Sequence, residues 1–329
     1  MSDVLVTVLV PAKDEARWIG ACLASIAAQG YPHHLLEVIV VVDGLTTDAT
    51  ESDARRALSG HDYFDADVLR HASGGTPANL NAGLARAQGQ VVCRVDARSR
   101  IPPDYVRACV EVLQTRAEVA VVGGAQIAVA PSDDALGRGI ARALNNRWGM
   151  GLSRYRRGAE SGASDTVYLG AFRTTDLRAA GGWNTALSTN QDFDLNRRLA
   201  KTGVIWFDGS LPVEYVPRPN LRALYTQYRR FGSWKARYWR LTGDRPRPRQ
   251  VVLMVGVPLA ALAGAAVVTF GSTQQRAVAT VSAAAALAFV EWRGSPTPRG
   301  GPAVHAWSAV ALGVVGFGWL RGVWGRAIR

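Results

Sequence analysis

Apolar and polar positions fall into repeating blocks along the first third of the chain. Val4 to Val10 is an apolar run closed by Pro11, and Lys13-Asp14-Glu15 lead into a stretch where Trp18, Ile19, Cys22, Leu23 and Ile26 recur at helical spacing. Gly30-Tyr31-Pro32 stops that helix. Val38 to Val42 is a second apolar run delivering Asp43-Gly44, with Thr46, Thr47 and Asp48 placed to cap the following helix. Ser73 to Pro77 reads as a loop and Asn79 to Ala87 as a short helix. Val91 to Val95 reads as a third strand, which Pro102 and Pro103 keep from continuing. Strands and helices taking turns predict an α/β fold around a mainly parallel sheet.

Each of these strands ends in residues fit for ligand work: Pro11 to Glu15, Asp43 to Asp48, and Asp96 to Arg98. In open α/β sheets the carboxyl edge is where ligands bind, and a nucleotide is long enough to touch all three loops. Taken alone, Asp96 reads equally well as a strand-end residue that caps a turn. Further on, Pro131 to Asp165 opens with helical spacing through Leu136, Ile140 and Leu144. It then passes into Arg154 to Ser164, which lacks apolar periodicity and reads as a surface loop or as a flap over a ligand. Asn190-Gln191-Asp192 opens a helix whose Phe193, Leu195 and Leu199 face inward, and a carboxylate in that first turn is by itself a good cap.

The last third changes character. Thr226 to Arg240 interleaves Gln227, Arg229, Arg230, Phe231, Trp234, Lys235, Arg237, Tyr238 and Trp239, which is the pattern of a helix lying in a membrane interface. Val251 to Phe270 carries no charge over twenty residues, a helix of about 30 Å, which is one bilayer core. Ala277 to Val290 and Pro302 to Leu320 are further apolar segments, so the division expected is a globular domain over 1–217, an interface helix and linker over 218–249, and two to three hydrophobic helices over 250–329. If the third of these spans, Arg321, Arg326 and Arg329 fall outside, against the positive-inside tendency.

Composition fits that picture. The net charge is +12 and only Lys13, Lys201 and Lys235 are lysines, so the excess is arginine, thickening just ahead of the apolar third. Guanidinium forks suit phosphates and anionic lipid heads, which favours a membrane surface over nucleic acid as partner. The three cysteines, Cys22, Cys93 and Cys109, show no metal or disulfide spacing and suit a reducing compartment. The opening residues lack a basic n-region and cleavage site, so they are expected to form a strand in a domain that stays in the cytoplasm.

In their order the motifs resemble a family 2 glycosyltransferase of the membrane-attached, succinoglycan-type subgroup. They are Val-Pro-Ala-Lys-Asp-Glu at 10–15, Asp-Gly-Leu-Thr-Thr-Asp-Ala-Thr at 43–50, Leu-Asn-Ala-Gly at 80–83, the Val95–Val106 stretch, Tyr-Leu-Gly-Ala-Phe-Arg at 168–173, Gly-Gly-Trp at 181–183, the Asn190–Leu199 stretch and Gln-Tyr-Arg-Arg-Phe at 227–231. The resemblance covers the first ~240 residues and implies a GT-A fold: a Rossmann-like, mainly parallel mixed sheet followed by C-terminal transmembrane helices. It implies an inverting, membrane-bound enzyme moving a sugar from a nucleotide-diphosphate-sugar, UDP-sugar being the expected donor, to a hydroxyl of a lipid-linked or growing glycan in cell-surface polysaccharide synthesis. The donor would be met by Pro11, Ala12, Glu15, Asp43, Asn81, Asp96 and Arg98, with Asp96 holding Mg2+ or Mn2+. Asp192 would be the general base, and Gln191, Gln227, Arg230 and Phe231 would line the acceptor and diphosphate side. The enzyme would sit at the plasma (inner) membrane among membrane lipids, its catalytic domain cytoplasmic.

Two positions depart from the family pattern. Gly44 stands where many relatives have an acid that touches the base, and Arg98 stands where the last acid, or a histidine, of the D-x-D element would help to ligate the ion. An arginine cannot ligate a cation but can neutralise diphosphate charge itself, or form a plain surface ion pair with a carboxylate such as Asp104. Transfer onto polyprenyl phosphate, and a catalytically silent membrane scaffold or nucleotide-sugar sensor, are the alternative readings.

Overall fold

A computed structural model of the chain describes residues 3–72, 74–148, 155, 160–294 and 300–327. They form two compact units, one built from residues 1–128 and 152–216 and the other from 129–151 and 217–329. The stretch 129–151 therefore belongs with the C-terminal helices and not with the contiguous globular segment expected over 1–217.

The first unit begins β1 (Val6–Ala12), α1 (Ala16–Ala27), β2 (Leu36–Asp43), α2 (Thr50–Leu58), β3 (Asp65–His71), α3 (Gly75–Arg86) and β4 (Val91–Arg94). Here the alternation of the sequence is realised directly: β3, β2, β1 and β4 lie side by side and all parallel. Every residue of β1 and β2 is buried, as continuous apolar runs covered on both faces must be. Pro11 does not close β1, which runs on through Ala12. The β4 pairing stops at Leu9↔Arg94, so the missing N–H of Pro11 falls where that neighbour has already ended. Likewise α3 starts ahead of Asn79, because Gly75 takes the left-handed φ of 75° and Pro77 is tolerated in a first turn. Ser73 lies outside the described residues.

β4 is followed by β5 (Ser99–Arg100), α4 (Tyr105–Thr115) and β6 (Val119–Ala128), with α5 (Ala135–Leu144) in the other unit. The first unit then resumes with β7 (Gly162–Ala163), β8 (Tyr168–Arg173), α6 (Thr174–Ala179), α7 (Gln191–Leu199) and β9 (Val204–Tyr215). β8 inserts antiparallel between β4 and β6, β9 runs parallel to β6, and β5 closes antiparallel onto β9. The sheet is thus mixed. What ends β4 is a tight turn, in which the Ser99 amide donates to the Asp96 carbonyl at 2.8 Å; the prolines come later. Of the Arg154 to Ser164 stretch, residues 154 and 156–159 lie outside the described residues, while Gly162 and Ala163 form β7 and pair with β9.

The second unit is helical: α5, then α8 (Leu221–Thr242), α9 (Pro248–Val251), a π turn over Val252–Gly256, α10 (Val257–Phe270), α11 (Thr273–Gly294) and α12 (Pro302–Ala327). Asn220 caps α8, its side chain accepting from the Ala223 amide at 2.9 Å, and Gly243 ends the helix in the left-handed conformation. Among the described residues two helices are long and apolar enough to cross a membrane, Val252–Phe270 and Pro302–Gly325. α8 is not one of them. It carries Arg222, Arg229, Arg230, Lys235, Arg237 and Arg240, and each such cation at a bilayer centre costs about 2.5–3.5 kcal/mol.

Candidate active site

The carboxyl edge of the parallel strands is sewn into one wall. The Thr47 amide donates to Asp14 at 2.9 Å, the Ala16 amide to Asp48 at 3.0 Å, and the Glu15 amide to the Thr50 hydroxyl at 2.7 Å. Asp14 holds the left-handed φ of 51° that lets its carboxylate reach across. The loops after β1 and β2 are therefore a single surface, with Pro11 and Ala12 buried at its base. Asp43 is fully buried behind it. Its Oδ1 accepts from the Leu45 amide at 3.0 Å and faces Lys13 Nζ at 3.5 Å, while its Oδ2 has no hydrogen-bond partner among the described residues. Burial pushes that carboxyl up, and the Leu45 amide and Lys13 more than reverse it, leaving Asp43 below the usual carboxylate range.

Arg98 pairs with Glu15, its Nε standing 2.7 Å from Oε2, and not with Asp104. Both side chains are mostly buried, and the Arg98 Nη1 has no acceptor among the described residues. A buried, unpartnered guanidinium N–H is costly to leave unmade. Both unmet groups, the Arg98 donor and the Asp43 acceptor, lie buried within this wall and not at its surface.

Arg94 is the residue that the sequence did not single out. It is the last residue of β4, and its side chain is only 7% exposed. Its Nε donates to Asp96 Oδ1 at 2.8 Å and its Nη1 to Asp192 Oδ1, so one guanidinium joins the two acids. Burial alone would lower the pKa of Arg94, but Asp192 and Asp96 outweigh it and hold the side chain cationic. The available signal was a charge in an otherwise apolar strand, Val-Val-Cys-Arg, where an unpaired cation could not survive.

Asp192 sits in the first turn of α7, entered through Asn190 at a φ of 65°, beside the buried Gln191. Its carboxyl is raised above the usual range: burial raises it, the Arg94 guanidinium opposes, and Asp96 adds to the rise. The side chain keeps 47% of its area open, so water screens part of that rise. The loop before α7 is held by Asn81, whose amide donates to the Trp183 carbonyl at 2.7 Å and accepts from the Trp183 amide at 2.9 Å. Asn81 thus fixes the Gly-Gly-Trp turn instead of offering its amide to solvent. Gly182 makes this possible, since a Cβ there would meet Asn81 and its φ is 63°.

No group of three His, Cys, Asp or Glu side chains that could hold a metal occurs among the described residues. Asp96 nevertheless suits a share in such a site. It is one-third exposed, and its Oδ2 makes no hydrogen bond among the described residues, leaving one hard oxygen for a divalent ion that also binds phosphate oxygens. Gln227, Arg230 and Phe231 belong to the other unit, where their spacing puts them on one face of α8 and Phe231 meets Tyr228 edge-on at 5.4 Å.

The model for Glycosyl transferase family 2 matches residues 7–174, and that for Glycosyl transferase family group 2 matches residues 91–296. The chain is 30% identical over 328 residues to the succinoglycan biosynthesis protein ExoA of Rhizobium meliloti, which covers 96% of this chain and 93% of that protein. It is 29% identical over 258 residues to a beta-monoglucosyldiacylglycerol synthase of Synechocystis, covering 73% of this chain and 50% of that one. Among solved structures, the mannosyltransferase PcManGT from Pyrobaculum calidifontis, in complex with GDP-Man and Mn2+, matches with a TM-score of 0.65 and 23% identity, covering 95% of this chain and 87% of that chain. That likeness shows a shared GT-A fold.

Proposed function

Because the chain belongs to the family 2 glycosyltransferases, we propose that it is an inverting enzyme of cell-surface polysaccharide synthesis. It moves a sugar from a nucleoside diphosphate, UDP first among the candidates, to a hydroxyl of a lipid-linked or growing glycan at the cytoplasmic face of the membrane. The observation that carries this reading is the Arg94 bridge, which sets Asp96 and Asp192 on either side of one guanidinium. One acid then serves the donor and the other the acceptor, at a fixed separation.

On the donor side, Asp43 is assigned to the nucleoside by its motif, and the Arg98 guanidinium, whose buried Nη1 lacks an acceptor among the described residues, is assigned to a phosphate oxygen. A divalent cation, held by Asp96 together with donor phosphates, would neutralise the diphosphate leaving group. On the acceptor side, Asp192 takes the hydroxyl proton as that oxygen attacks the anomeric carbon. The bond from that carbon to the phosphate oxygen breaks, and the nucleoside diphosphate leaves with the electron pair. Arg94 opposes the burial that raises the Asp192 carboxyl and stands beside Asp96 as its counter-charge. Gln227, Arg230 and Phe231 are assigned to the acceptor and diphosphate side by their motif alone, and membrane attachment by the two apolar helices.

The reading is tested with full-length protein in detergent, by thermal stabilisation across UDP-, GDP- and dTDP-sugars followed by transfer to extracted lipid-linked glycans. A donor at 100 times its Kd should stabilise by about 2.7 kcal/mol. Stabilisation with no transfer in wild type would favour the silent scaffold. Transfer to polyprenyl phosphate that survives Asp192→Asn would favour the acceptor that needs no base.

A further inference from the structure

Two helices of the second unit have spans that pass for membrane crossings by length and composition, yet their surroundings are opposite. α10 has no buried residue, and α11, which is apolar over Ala277–Val290 alone and shorter than a full span there, buries only Glu291 and Gly294 among its described side chains, so its apolar middle is exposed as α10 is. α12 instead buries Val304, Ser308, Ala311, Val315, Gly318, Gly322 and Val323, a stripe at spacings of three and four. A stripe of that kind marks a helix packed on protein along its length.

What it packs on is charged. A Cβ at Gly318 would press on the Tyr225 carbonyl oxygen, one at Gly322 on that of Arg229, and one at Gly232 on that of Trp319, so α12 and α8 touch backbone to backbone. The Ser233 hydroxyl donates to the Gly322 carbonyl at 3.1 Å, and Tyr225 stacks on Phe317. Near its start α12 meets α5, where a Cβ on Gly139 would press on Trp307. α12 therefore cannot enter the bilayer without drawing in the six cations of α8.

The end of α11 is tied to α5 as well. Arg142 pairs with Glu291, which also meets His305 at 2.8 Å; the Asn146 amide donates to the Val290 carbonyl at 2.8 Å, and the Arg147 amide to the Gly294 carbonyl. α5 precedes every candidate span in the chain, so α11 must come back to the side from which α10 left. Only Gly271 and Ser272 separate the two helices, leaving room for a tight hairpin.

We propose that the chain crosses the membrane twice, by the α10–α11 hairpin, and that α12 lies in the plane of the interface on the catalytic side. The outward face of α12, with Trp307, Val310, Phe317 and Trp324 exposed, then rests at the boundary of headgroups and acyl chains of an anionic bilayer. Tryptophans near both ends of that face, continuity with the lipid-exposed hairpin, and the neighbouring cations of α8 all favour lipid as the occupant. Arg321 then stays inside, as the positive-inside tendency asks. This inference rests on the membrane attachment proposed above, but its test does not depend on catalysis.

Single cysteines at Ser272→Cys and Gly325→Cys are placed in the full chain, whose native Cys22, Cys93 and Cys109 are buried. Both are treated with a membrane-impermeant maleimide in intact spheroplasts and after permeabilisation. The expected result is labelling of Ser272→Cys in intact spheroplasts and of Gly325→Cys only after permeabilisation. A C-terminal alkaline phosphatase fusion should be inactive where a green fluorescent fusion is bright. Labelling of Gly325→Cys from outside, or an active phosphatase, would overturn the in-plane helix. Ser272→Cys labelled only after permeabilisation would overturn the hairpin. Recovery of the chain without detergent in the soluble fraction would instead remove the membrane reading itself.

Discussion

Arg94 and Arg142 are both buried guanidiniums held by carboxylates, and they differ in who else can reach those carboxylates. Arg142 is 3% exposed and its partner Glu291 only 5%, so neither charge of that pair in the helical unit is open to a ligand. Arg94 is nearly as buried, but Asp96 and Asp192 keep 33% and 47% of their side chains open at the carboxyl edge of the sheet. One cluster can only fasten helices together. The other presents two acids to solvent while fixing the distance and charge between them, which is what a site for two substrates needs. Burial of the cation alone does not separate structure from chemistry; exposure of its partners does.

The strongest way to break this contrast is Asp192→Asn. Loss of general-base help should lower kcat by roughly 10²- to 10⁴-fold while donor affinity stays near wild type. Asp96→Asn should do the reverse and weaken donor binding. Calorimetry with a non-transferred donor analogue, beside steady-state kinetics, checks both.

Next in size is the closed cluster. Arg142→Met leaves Glu291 with His305 as its remaining partner and should cost up to about 3–5 kcal/mol of stability. Turnover per folded molecule should be unchanged. Thermal unfolding in detergent measures the loss, and Glu291→Gln added to Arg142→Met should recover part of it, because the buried charge is then gone.

Arg98→Ala is the smallest of these. A charge-assisted hydrogen bond to phosphate contributes about 1.5–3 kcal/mol, so donor Kd should rise roughly tenfold to a hundredfold. Titration with and without chelator also reads whether a divalent ion shares that role: Arg98→Ala should make binding more dependent on manganese than in wild type.

Much of this was legible along the chain. Three of the four parallel strands follow from apolar blocks separated by helical spacing, because each β-α-β step is local; β3, an edge strand with Asp65, Asp67, Arg70 and His71 among few apolar residues, left no such block. The insertion of β8 between β4 and β6 was not legible, since that antiparallel pairing joins residues some eighty positions apart and leaves no periodic mark. Asp96 and Asp192 stood out through the motifs that resemble the family, since by position alone the one reads equally well as a strand-end acid and the other as a helix cap. Arg94 did not, because a cation at the end of an apolar strand reads as a strand boundary until its two partners come to it from distant positions. The separation of α10 from α12 showed in the sequence only as arginines on the wrong side of a third span; what makes α12 a packed helix is Gly318 and Gly322 against the Tyr225 and Arg229 backbone of α8, and Gly232 against that of Trp319.

The most direct test is the pH dependence of kcat in wild type and in Arg94→Gln. Asp192 must be ionised to accept a proton, so activity is full above its pKa and falls as pH drops through it. Arg94 favours the ionised form, and removing that adjacent cation should raise the pKa further. The acid limb should therefore move to higher pH in Arg94→Gln, with the rate climbing back toward wild type on the alkaline side. An acid limb that stays in place, or moves to lower pH, would contradict the assignment of Asp192 as a base held ionised by Arg94.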